Sequence, residues 1–522
     1  MLAACLRLAY RAFPGHLIRI RFLTVQHDPG SSFPGQRPAV ILAAMLVLAL
    51  LLRGWDFGNP VLDIDEQWYL LVGDRMLHGA VPFIDLWDRK PYGLFLLFAG
   101  FRLIPADGII VYQVAAALFA GATAAVILHI ARRLGAAPVG AWSAGILYLL
   151  TMAVIGGQGG QSPVFYNLPV AVAALLTLRL PSLTAERAAQ AIGRNGLAAC
   201  ALCGLAIQIK YTAAFEGLFI GLAHLWAIVR VRRPGATIGW TLAWGVAGIA
   251  PTLAVGLAYA MMGAGAFQAF WFANFVSITL RQAYPAGKML LNLGGLLAQI
   301  APLLIAAGVT LARIGPRAAR HPVHALAIGW LLAAVIGFAC IGTFYDHYGL
   351  PLLPPLAALA GWSLGRSTKL RTIVVLAAML VFVGERVDMP DDRAAIAPVV
   401  ALMRANHGTG TCPYVFNGPS ILYYLANSCI PTPYAFPNTL GHAIEGGATG
   451  VDEGREVARI MATRPPVVVT LDRATSFFNP ASLAAATLVL ARDYCLAMTL
   501  PRDKRTMRVY TRCIRPAATR AR

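Results

Sequence analysis

The sequence predicts a mainly α-helical protein that crosses a membrane many times and ends in a small extracytoplasmic α/β domain. Its 522 residues are 58% hydrophobic and 13% charged, well below the roughly 25% charged residues of ordinary soluble proteins. Long apolar stretches recur between residues 38 and 387. After about Arg386 the composition turns polar, which indicates a domain in water.

Eleven segments are candidate membrane spans, because a helix needs roughly 20 apolar residues to cross the hydrocarbon core. They cover residues 38–54, 108–131, 136–155, 163–180, 195–209, 211–229, 237–262, 291–312, 323–343, 349–365 and 371–387. The fifth and sixth meet at Lys210, so a tight hairpin and one broken unit both remain open. Residues 38–387 are the predicted transmembrane domain.

The distribution of lysine and arginine predicts that the N-terminus is cytoplasmic. Segment 1–37 has five arginines and one aspartate, which predicts a cytoplasmic leader and not a cleaved signal peptide. Basic residues recur in alternate loops: Arg132, Arg133, Arg187, Arg194, Arg230, Arg232, Arg233, Arg313, Arg317, Arg320, Arg366, Lys369 and Arg371. The net charge of +20 therefore reflects topology in a bacterial inner membrane and excludes a nucleic-acid-binding stripe.

With eleven spans, residues 388–514 lie in the periplasm, followed by a basic tail at 515–522. The predicted strands are Val415–Phe416, Val467–Leu471 and Arg508–Tyr510, and the predicted helices are Ser420–Ala426, Asp452–Ala462 and Ser482–Arg492. The four cysteines of this domain are predicted to form two disulfides, with three pairings open: Cys412, Cys429, Cys495 and Cys513. Cys200 and Cys203 form a CxxC inside an apolar helix, where helix packing is favoured over redox or zinc chemistry.

The first predicted outer loop, residues 55–107, is the candidate active-site loop. Seven of the 23 acidic residues lie between positions 55 and 90: Asp56, Asp63, Asp65, Glu66, Asp74, Asp85 and Asp88. Acidic residues contribute little to topology, so topology alone does not explain this cluster. The periodicity of Gln67–Leu77 predicts an amphipathic helix along the membrane surface. Leu94–Ile104 is too short to span and is predicted as a second surface helix.

These residue types suit transfer of a group from a lipid-linked donor. A carboxylate can take the proton of an acceptor hydroxyl or amine. Arg89 and Lys90 can offset the charge of a phosphate leaving group. Helices at the membrane surface suit a substrate with a lipid tail and a polar head.

The loop resembles that of the GT-C class of polyprenyl-phosphate-sugar glycosyltransferases, within the protein O-mannosyltransferase and lipid A aminoarabinose transferase superfamily. The shared features are an acidic pair after the first span, a helix, and an Arg/Lys-Pro motif before a short helix. The segments Gly204–Thr212, Tyr345–Pro355 and Tyr414–Tyr434 resemble further parts of the same family. The resemblance implies a GT-C-like fold and an inverting transfer of a sugar on the periplasmic face.

The resemblance implies Asp65 and Glu66 as the catalytic pair, with Asp65 as base or acceptor-positioning carboxylate. Candidate substrate-binding residues are Asp63, Arg89, Lys90, Lys210, Arg281, Tyr345 and His347. Plainer roles also remain open: a turn for Asp63, snorkelling for Lys210, packing for His347 and solvation for Arg281. Glu216 is an intramembrane acid that could pair with Lys210.

The sequence departs from the family where many relatives have a second outer-loop carboxylate. Residues 156–162 contain no acid, so Gln158, Gln161 or Asn167 is expected to form hydrogen bonds there instead. No metal cluster is evident, and Asp63 and Asp65 alone are weak support for a divalent cation. The partners implied are a polyprenyl-phosphate sugar, the bilayer and a lipid A, polysaccharide or protein acceptor. The alternatives are a flippase or transporter of lipid-linked sugars, another glycan polymerase or ligase, and a non-catalytic scaffold.

Overall fold

The computed structural model describes residues 37–231, 234–318, 321–387, 392–406, 410–473, 477–502 and 505–513. The predicted basic tail and, apart from Arg37, the predicted leader lie outside the described residues. The same is true of three arginines that entered the topology prediction, Arg232, Arg233 and Arg320.

Helices make up most of the described chain. Up to the polar region they are α1 (Pro38–Arg53), α2 (Ile64–Met76), α3 (Tyr92–Arg102), α4 (Gly108–Arg133), α5 (Pro138–Val154), α6 (Ser162–Thr177), α7 (Leu180–Ala185), α8 (Ala189–Ile207), α9 (Ala213–Arg230), α10 (Pro234–Met261), α11 (Ala264–Trp271), α12 (Ala286–Gln299), α13 (Ala301–Ala318), α14 (Pro322–Ile341), α15 (Leu353–Arg366), α16 (Thr368–Val387) and α17 (Asp392–Ala405). Proline occupies the first turn of α1, α5 and α14, where its missing N–H is not needed.

The predicted polytopic helical fold is confirmed, since each of the eleven predicted segments is largely helical. In the described residues, seven helices are long and apolar enough to span: Pro38–Asp56, Gly108–Arg133, Ser162–Ala185, Ala189–Ile207, Ala213–Arg230, Thr237–Met261 and Pro322–Ile341. An eighth span results if α12 and α13, bent by 75°, count as one. Helices α5, α15 and α16 do not meet this criterion, so the count of eleven stays a prediction. The helix is interrupted between Ile207 and Ala213, and the two helices on either side, α8 and α9, pack against each other as a hairpin.

Small residues allow the central helices to approach closely. Helix α5 packs against α15 at Gly140, where an added Cβ would lie 2.2 Å from the carbonyl oxygen of Gly361. Helix α4 packs against α1 at Gly121, where a Cβ would lie 2.8 Å from the Cα of Leu46. Such contacts are typical of helix association in lipid, where van der Waals packing drives assembly.

The polar C-terminal region contains a small sheet with helices, as predicted, and the sheet has four strands where the sequence predicted three. Its strands are β1 (Tyr414–Val415), β2 (Val467–Leu471), β3 (Tyr494–Arg502) and β4 (Arg505–Arg512), and its helices are α18 (Ile421–Leu425), α19 (Pro437–Gly441), α20 (Glu453–Ala462) and α21 (Pro480–Asp493). The strand order is β1-β2-β4-β3, with only the β1–β2 pair parallel. The sequence did not predict β3. Disulfides join Cys412 to Cys429 and Cys495 to Cys513.

The C-terminal region and the helical bundle share one hydrophobic core. Ile421 and Val469 belong to the same buried cluster as Trp68 of α2. The rings of Trp68 and Phe436 lie 5.9 Å apart, and α18 packs against α2. The residues from Glu66 to Asp74 are all buried. This helix therefore lacks the exposed face expected of an amphipathic surface helix, because α3 and the C-terminal region cover it, and its position along the membrane surface stays a prediction.

Candidate active site

The N-terminus of α2 brings two carboxylates together. Asp63 caps the helix, and its Oδ1 accepts a hydrogen bond from the backbone N–H of Asp65 at 2.9 Å. The Gln67 side chain donates to the Asp63 carbonyl at 2.9 Å. Gln161, from the loop before α6, donates to Asp63 Oδ1 at 2.7 Å and to Asp65 Oδ2 at 3.3 Å. The hydrogen-bonding role expected in this acid-free loop therefore belongs to Gln161.

Lys90 completes this pair from the other side. Its Nζ lies 3.6 Å from Asp65 Oδ1 and 3.8 Å from Asp88 Oδ1, and 5.2 Å from the centre of the Tyr69 ring. Burial works against the charge of Lys90, but Asp65 and Asp88 outweigh it and raise the pKa of Lys90. The Lys90 ammonium is therefore a fixed positive charge beside the carboxylate pair.

The two carboxylates ionise separately. Burial tends to raise the pKa of Asp65, but the charges of Lys90, His347 and Lys210 together with the Gln161 hydrogen bond outweigh burial, and the pKa falls to about 2. Burial and the charge of Asp65 raise the pKa of Asp63 to about 7. Because the two groups interact strongly, these steps belong to the pair. Near neutral pH the pair thus contains one firmly ionised carboxylate and one that can take up a proton.

A second lysine approaches the same cluster from the α8–α9 hairpin. Lys210 Nζ lies 4.6 Å above the ring of Tyr348, whose centre is 4.4 Å from that of His347. Burial and the Lys90 charge lower the pKa of Lys210 to about 7, and burial lowers that of His347 to about 3. Among the described residues, no carboxylate lies within 4.0 Å of Lys210 Nζ. We call Asp63, Asp65, Lys90 and Lys210 the transfer cluster.

One expectation about Lys210 is wrong. It does not pair with Glu216, whose Oε1 accepts a hydrogen bond from Trp330 Nε1 at 2.7 Å. The Lys210 side chain is partly buried, and its ammonium faces the Tyr348 ring. Lys210 is therefore a partly buried cation of the transfer cluster.

Glu66 faces a different environment from its neighbour Asp65. Its carboxylate accepts hydrogen bonds from the Tyr112 hydroxyl at 3.0 Å and from the backbone N–H of Gly160. Arg53 fixes the same loop by donating to the carbonyls of Gly157, Gln158 and Gly159. Burial, then the Asp63 charge, raises the pKa of Glu66 to about 8. We call Arg53, Glu66 and residues 157–160 the loop anchor, which holds the segment that carries Gln161.

Arg89, a predicted substrate-binding residue, contacts side chains and backbone outside the transfer cluster. Its Nε donates to Ser277 Oγ at 2.7 Å, its Nη1 pairs with Glu445 Oε2 at 2.5 Å, and its Nη2 donates to the Ala448 carbonyl at 3.5 Å. Arg281 pairs with the other oxygen of Glu445, with Nη2 2.8 Å from Oε1. The structure thus gives Arg89 partners in the C-terminal region, and it places Arg281 beside Arg89.

The site contains residues that were absent from the predicted set. Tyr348 contacts Lys210, and the charges of Arg281, Asp65 and Lys90 all act on its pKa. Within the described residues, one buried oxygen of the Asp88 carboxylate has no hydrogen-bond partner, and neither does the buried Tyr69 hydroxyl. Tyr348 was recognisable from its position beside His347, whereas Glu445 gave no signal in the sequence. Tyr345, by contrast, directs its hydroxyl to that of Tyr284 at 3.3 Å.

In the described part of the chain, no group of three or more His, Cys, Asp or Glu side chains is placed to hold a metal ion. Asp63 and Asp65 instead share Gln161 and face Lys90. The site contains a carboxylate pair with two nearby lysines and a tyrosine.

Comparisons with known proteins establish the fold. No family model matches the chain, and no curated protein matches its sequence. Two solved structures of ArnT from Cupriavidus metallidurans are similar to it across 90% of this chain and 97% of theirs. The structure bound to undecaprenyl phosphate has a TM-score of 0.57 at 15% identity, and the apo structure 0.52 at 14% identity. The chain therefore has an ArnT-like, GT-C-type polytopic membrane fold with a small C-terminal sheet.

Proposed function

We propose that this protein is a membrane glycosyltransferase that takes sugar from a polyprenyl-phosphate donor. The transfer cluster is the observation that carries the proposal: an ionised carboxylate, a carboxylate with a raised pKa and two lysines lie at one end of a helical membrane bundle. The likeness to an ArnT structure bound to undecaprenyl phosphate supports a polyprenyl phosphate as the lipid.

The proposed reaction is a single displacement at the anomeric carbon. An acceptor hydroxyl or amine, oriented by Asp65, forms the new bond to that carbon as the bond to the phosphate oxygen breaks. The acceptor proton passes to the Asp63–Asp65 pair, and the polyprenyl phosphate leaves with the bonding electrons. Lys90 and Lys210 stabilise the charge that develops on the phosphate. The configuration of the sugar inverts, as the family resemblance implies.

Glu66 has a positioning role in this proposal. Its two hydrogen-bond acceptors are directed at Tyr112 and Gly160, so its carboxylate is engaged away from Asp65. Through the loop anchor it fixes Gln161 against both carboxylates of the pair. Lys210 and His347 remain in the substrate-binding set, and Tyr348 joins them. Arg281 is the third cation that we assign to the phosphate, after Lys90 and Lys210.

We further propose that the reaction takes place on the periplasmic face of a bacterial inner membrane. The Lys and Arg bias of alternate loops favours this orientation. The loops that carry Asp65, Gln161, Lys210 and His347 come together in the fold. The acceptor would then be a glycan, lipid or protein of the cell envelope.

Mass spectrometry of envelope glycolipids and glycoproteins tests the proposal. Cells that contain the protein should carry a sugar modification that is missing from cells without it. Cells with Asp65→Asn should resemble the deletion while the protein level in the membrane stays normal. An unchanged set of glycans in the deletion strain would contradict the proposal. Accumulation of a lipid-linked sugar on the cytoplasmic side would instead favour the flippase alternative.

A further inference from the structure

We infer that Glu445, in the C-terminal region, is a positioning residue that holds Arg281 for the phosphate of the lipid donor. The inference rests on the proposed function, because the ligand in question is the donor phosphate. It assigns the C-terminal region a part in substrate binding that the family resemblance left open.

Glu445 is buried between two guanidinium groups that come from distant parts of the chain. Only 5% of the residue is exposed. One oxygen pairs with Arg89 Nη1 at 2.5 Å, and the other pairs with Arg281 Nη2 at 2.8 Å. A buried carboxylate between two cations offsets their mutual repulsion, which would otherwise be strong in this low-dielectric setting.

The two arginines are not anchored equally. Arg89 uses its three nitrogens on Ser277, Glu445 and Ala448, and it also lies 4.9 Å from the ring centre of Trp87. Within the described residues, the Arg281 side chain has Glu445 as its one polar partner, and its buried Nε has none. Arg281 is therefore the guanidinium with donors still available to a ligand, and Glu445 sets its direction.

Salt bridges connect Arg281 to the transfer cluster. Glu445 joins Arg281 to Arg89, and the next residue in the chain, Lys90, lies 3.6 Å from Asp65. Lys210 Nζ lies 4.6 Å from the ring centre of Tyr348, and the charges of Arg281, Asp65 and Lys90 also act on the Tyr348 hydroxyl. Lys90, Lys210 and Arg281 are therefore the set of cations that we assign to the departing phosphate group.

The segment around Glu445 is fixed to the bundle independently of that side chain. The backbone N–H of Gln282 donates to the Ile444 carbonyl at 3.1 Å, and Ser277 donates to the Ala448 carbonyl. Glu453 holds the same loop by accepting from Gly447 N at 3.0 Å and from Thr449 Oγ1 at 2.8 Å. Glu445→Gln therefore removes a charge from a loop that keeps its other contacts.

The test is the binding of undecaprenyl phosphate to the full-length protein in lipid nanodiscs. We expect Glu445→Gln to weaken binding on the order of tenfold, as expected for loss of a charge-assisted contact, and Glu445→Asp to restore most of the affinity. Glu453→Gln is the matched control, because Glu453 is a second buried glutamate, contacts the same loop from the start of α20 and has no arginine partner in the described structure. Its affinity should stay within about twofold of wild type.

A double-mutant cycle gives the decisive comparison. If Glu445 acts through Arg281, Glu445→Gln should cause no further loss in an Arg281→Gln background. Wild-type affinity or tighter binding in Glu445→Gln, a loss equal to that in Glu453→Gln, or additive losses in the cycle would overturn the inference. Failure of the wild type itself to bind undecaprenyl phosphate would instead refute the proposed function on which the inference rests.

Discussion

Asp65 and Glu66 are adjacent on α2, yet their carboxylates lie in different electrostatic environments. Asp65 faces Lys90 at 3.6 Å, and burial, which would raise its pKa, is outweighed by Lys90 together with His347, Lys210 and Gln161, so that the pKa falls to about 2. Glu66 lies between Tyr112 and Gly160, and burial followed by the Asp63 charge raises its pKa to about 8. One side chain is a stable anion near neutral pH, and the other is protonated.

The two carboxylates therefore belong to two regions with different roles: the transfer cluster takes part in the proposed reaction, and the loop anchor holds the loop in place. In the transfer cluster, Lys210 faces a tyrosine ring and has no carboxylate within 4.0 Å among the described residues. Gln161 donates a hydrogen bond to each carboxylate of the Asp63–Asp65 pair. In the loop anchor, the guanidinium of Arg53 is saturated with backbone carbonyls. Arg89 and Lys90 repeat the contrast, since Arg89 contacts the C-terminal region and Lys90 contacts the cluster. Residues adjacent in sequence therefore have different roles, because their side chains point in different directions from the backbone.

Removal of Lys90 is the strongest way to break the transfer cluster. Lys90→Ala should lower the rate of sugar transfer by about a hundredfold or more, as for loss of a preorganised group that stabilises developing charge. It would also leave Asp65 and Asp88 without their shared cation. Transfer assays on purified protein measure the effect. Lys288→Ala, which removes an exposed lysine in the first turn of α12, is the control and should retain full activity.

The pH dependence of lipid binding sharpens the role of Lys210. Because burial and Lys90 lower its pKa to about 7, Lys210 loses its charge as the pH rises through that value. Affinity for undecaprenyl phosphate should fall by roughly tenfold between about pH 6 and pH 9. Lys210→Arg keeps its charge throughout this range, so its affinity should fall much less. Identical pH profiles for the two proteins would remove Lys210 from the phosphate site.

Stability against pH tests the loop anchor. The folded-state pKa of Glu66, about 8, exceeds its ordinary value of 4.5, so folding takes up a proton between these values. Its stabilising contribution is present below pH 4.5 and is lost as the pH rises toward 8. Wild-type unfolding temperature should therefore drop over this range, and Glu66→Gln should flatten the profile. An equal drop in both proteins would show that Glu66 is ionised in the fold.

Gly159→Ala disturbs the loop anchor by adding a methyl group where there is no space for it. An added Cβ would lie 2.1 Å from a Glu66 carboxylate oxygen, so the loop or the side chain must shift. We expect a loss of stability of about 1–3 kcal/mol, with transfer reduced because Gln161 moves. Thermal unfolding in detergent measures it. Gly100→Ala is the matched control, because a Cβ at Gly100 meets no atom within 4 Å.

The smallest effect is expected at the CxxC pair. Cys200 and Cys203 lie buried in α8, and Cys203 packs 3.1 Å from the Cβ position of Gly217. Cys200→Ala and Cys203→Ala should each keep the transfer rate within about twofold of wild type. Each should also lower the stability less than Gly159→Ala does. Loss of activity in either variant with normal folding would assign these thiols a chemical role.

The sequence was sufficient for the fold class and for part of the site. Hydrophobic length and composition predicted the helices, and the acidic loop with its Lys-Pro motif located Asp65 and Lys90. It could not predict the contacts of Gln161 with Asp63 or of Glu445 with Arg281, because these residues lie far apart in the chain and meet only after packing. Strand β3 was missed because Tyr494–Arg502 lacks a clear alternating pattern and pairs with β4 in a hairpin.

The most direct test compares Asp65→Asn with Glu66→Gln in one transfer assay, using purified protein and a polyprenyl-phosphate sugar that the wild type consumes. Both substitutions exchange a carboxylate for an amide of the same shape. Asp65→Asn should bind undecaprenyl phosphate yet lose about a thousandfold in transfer rate, within the range known for a positioned acid or base. Glu66→Gln should stay within about threefold of wild type. Normal transfer by Asp65→Asn, or equal losses in the two variants, would contradict the assignment of chemistry to the transfer cluster.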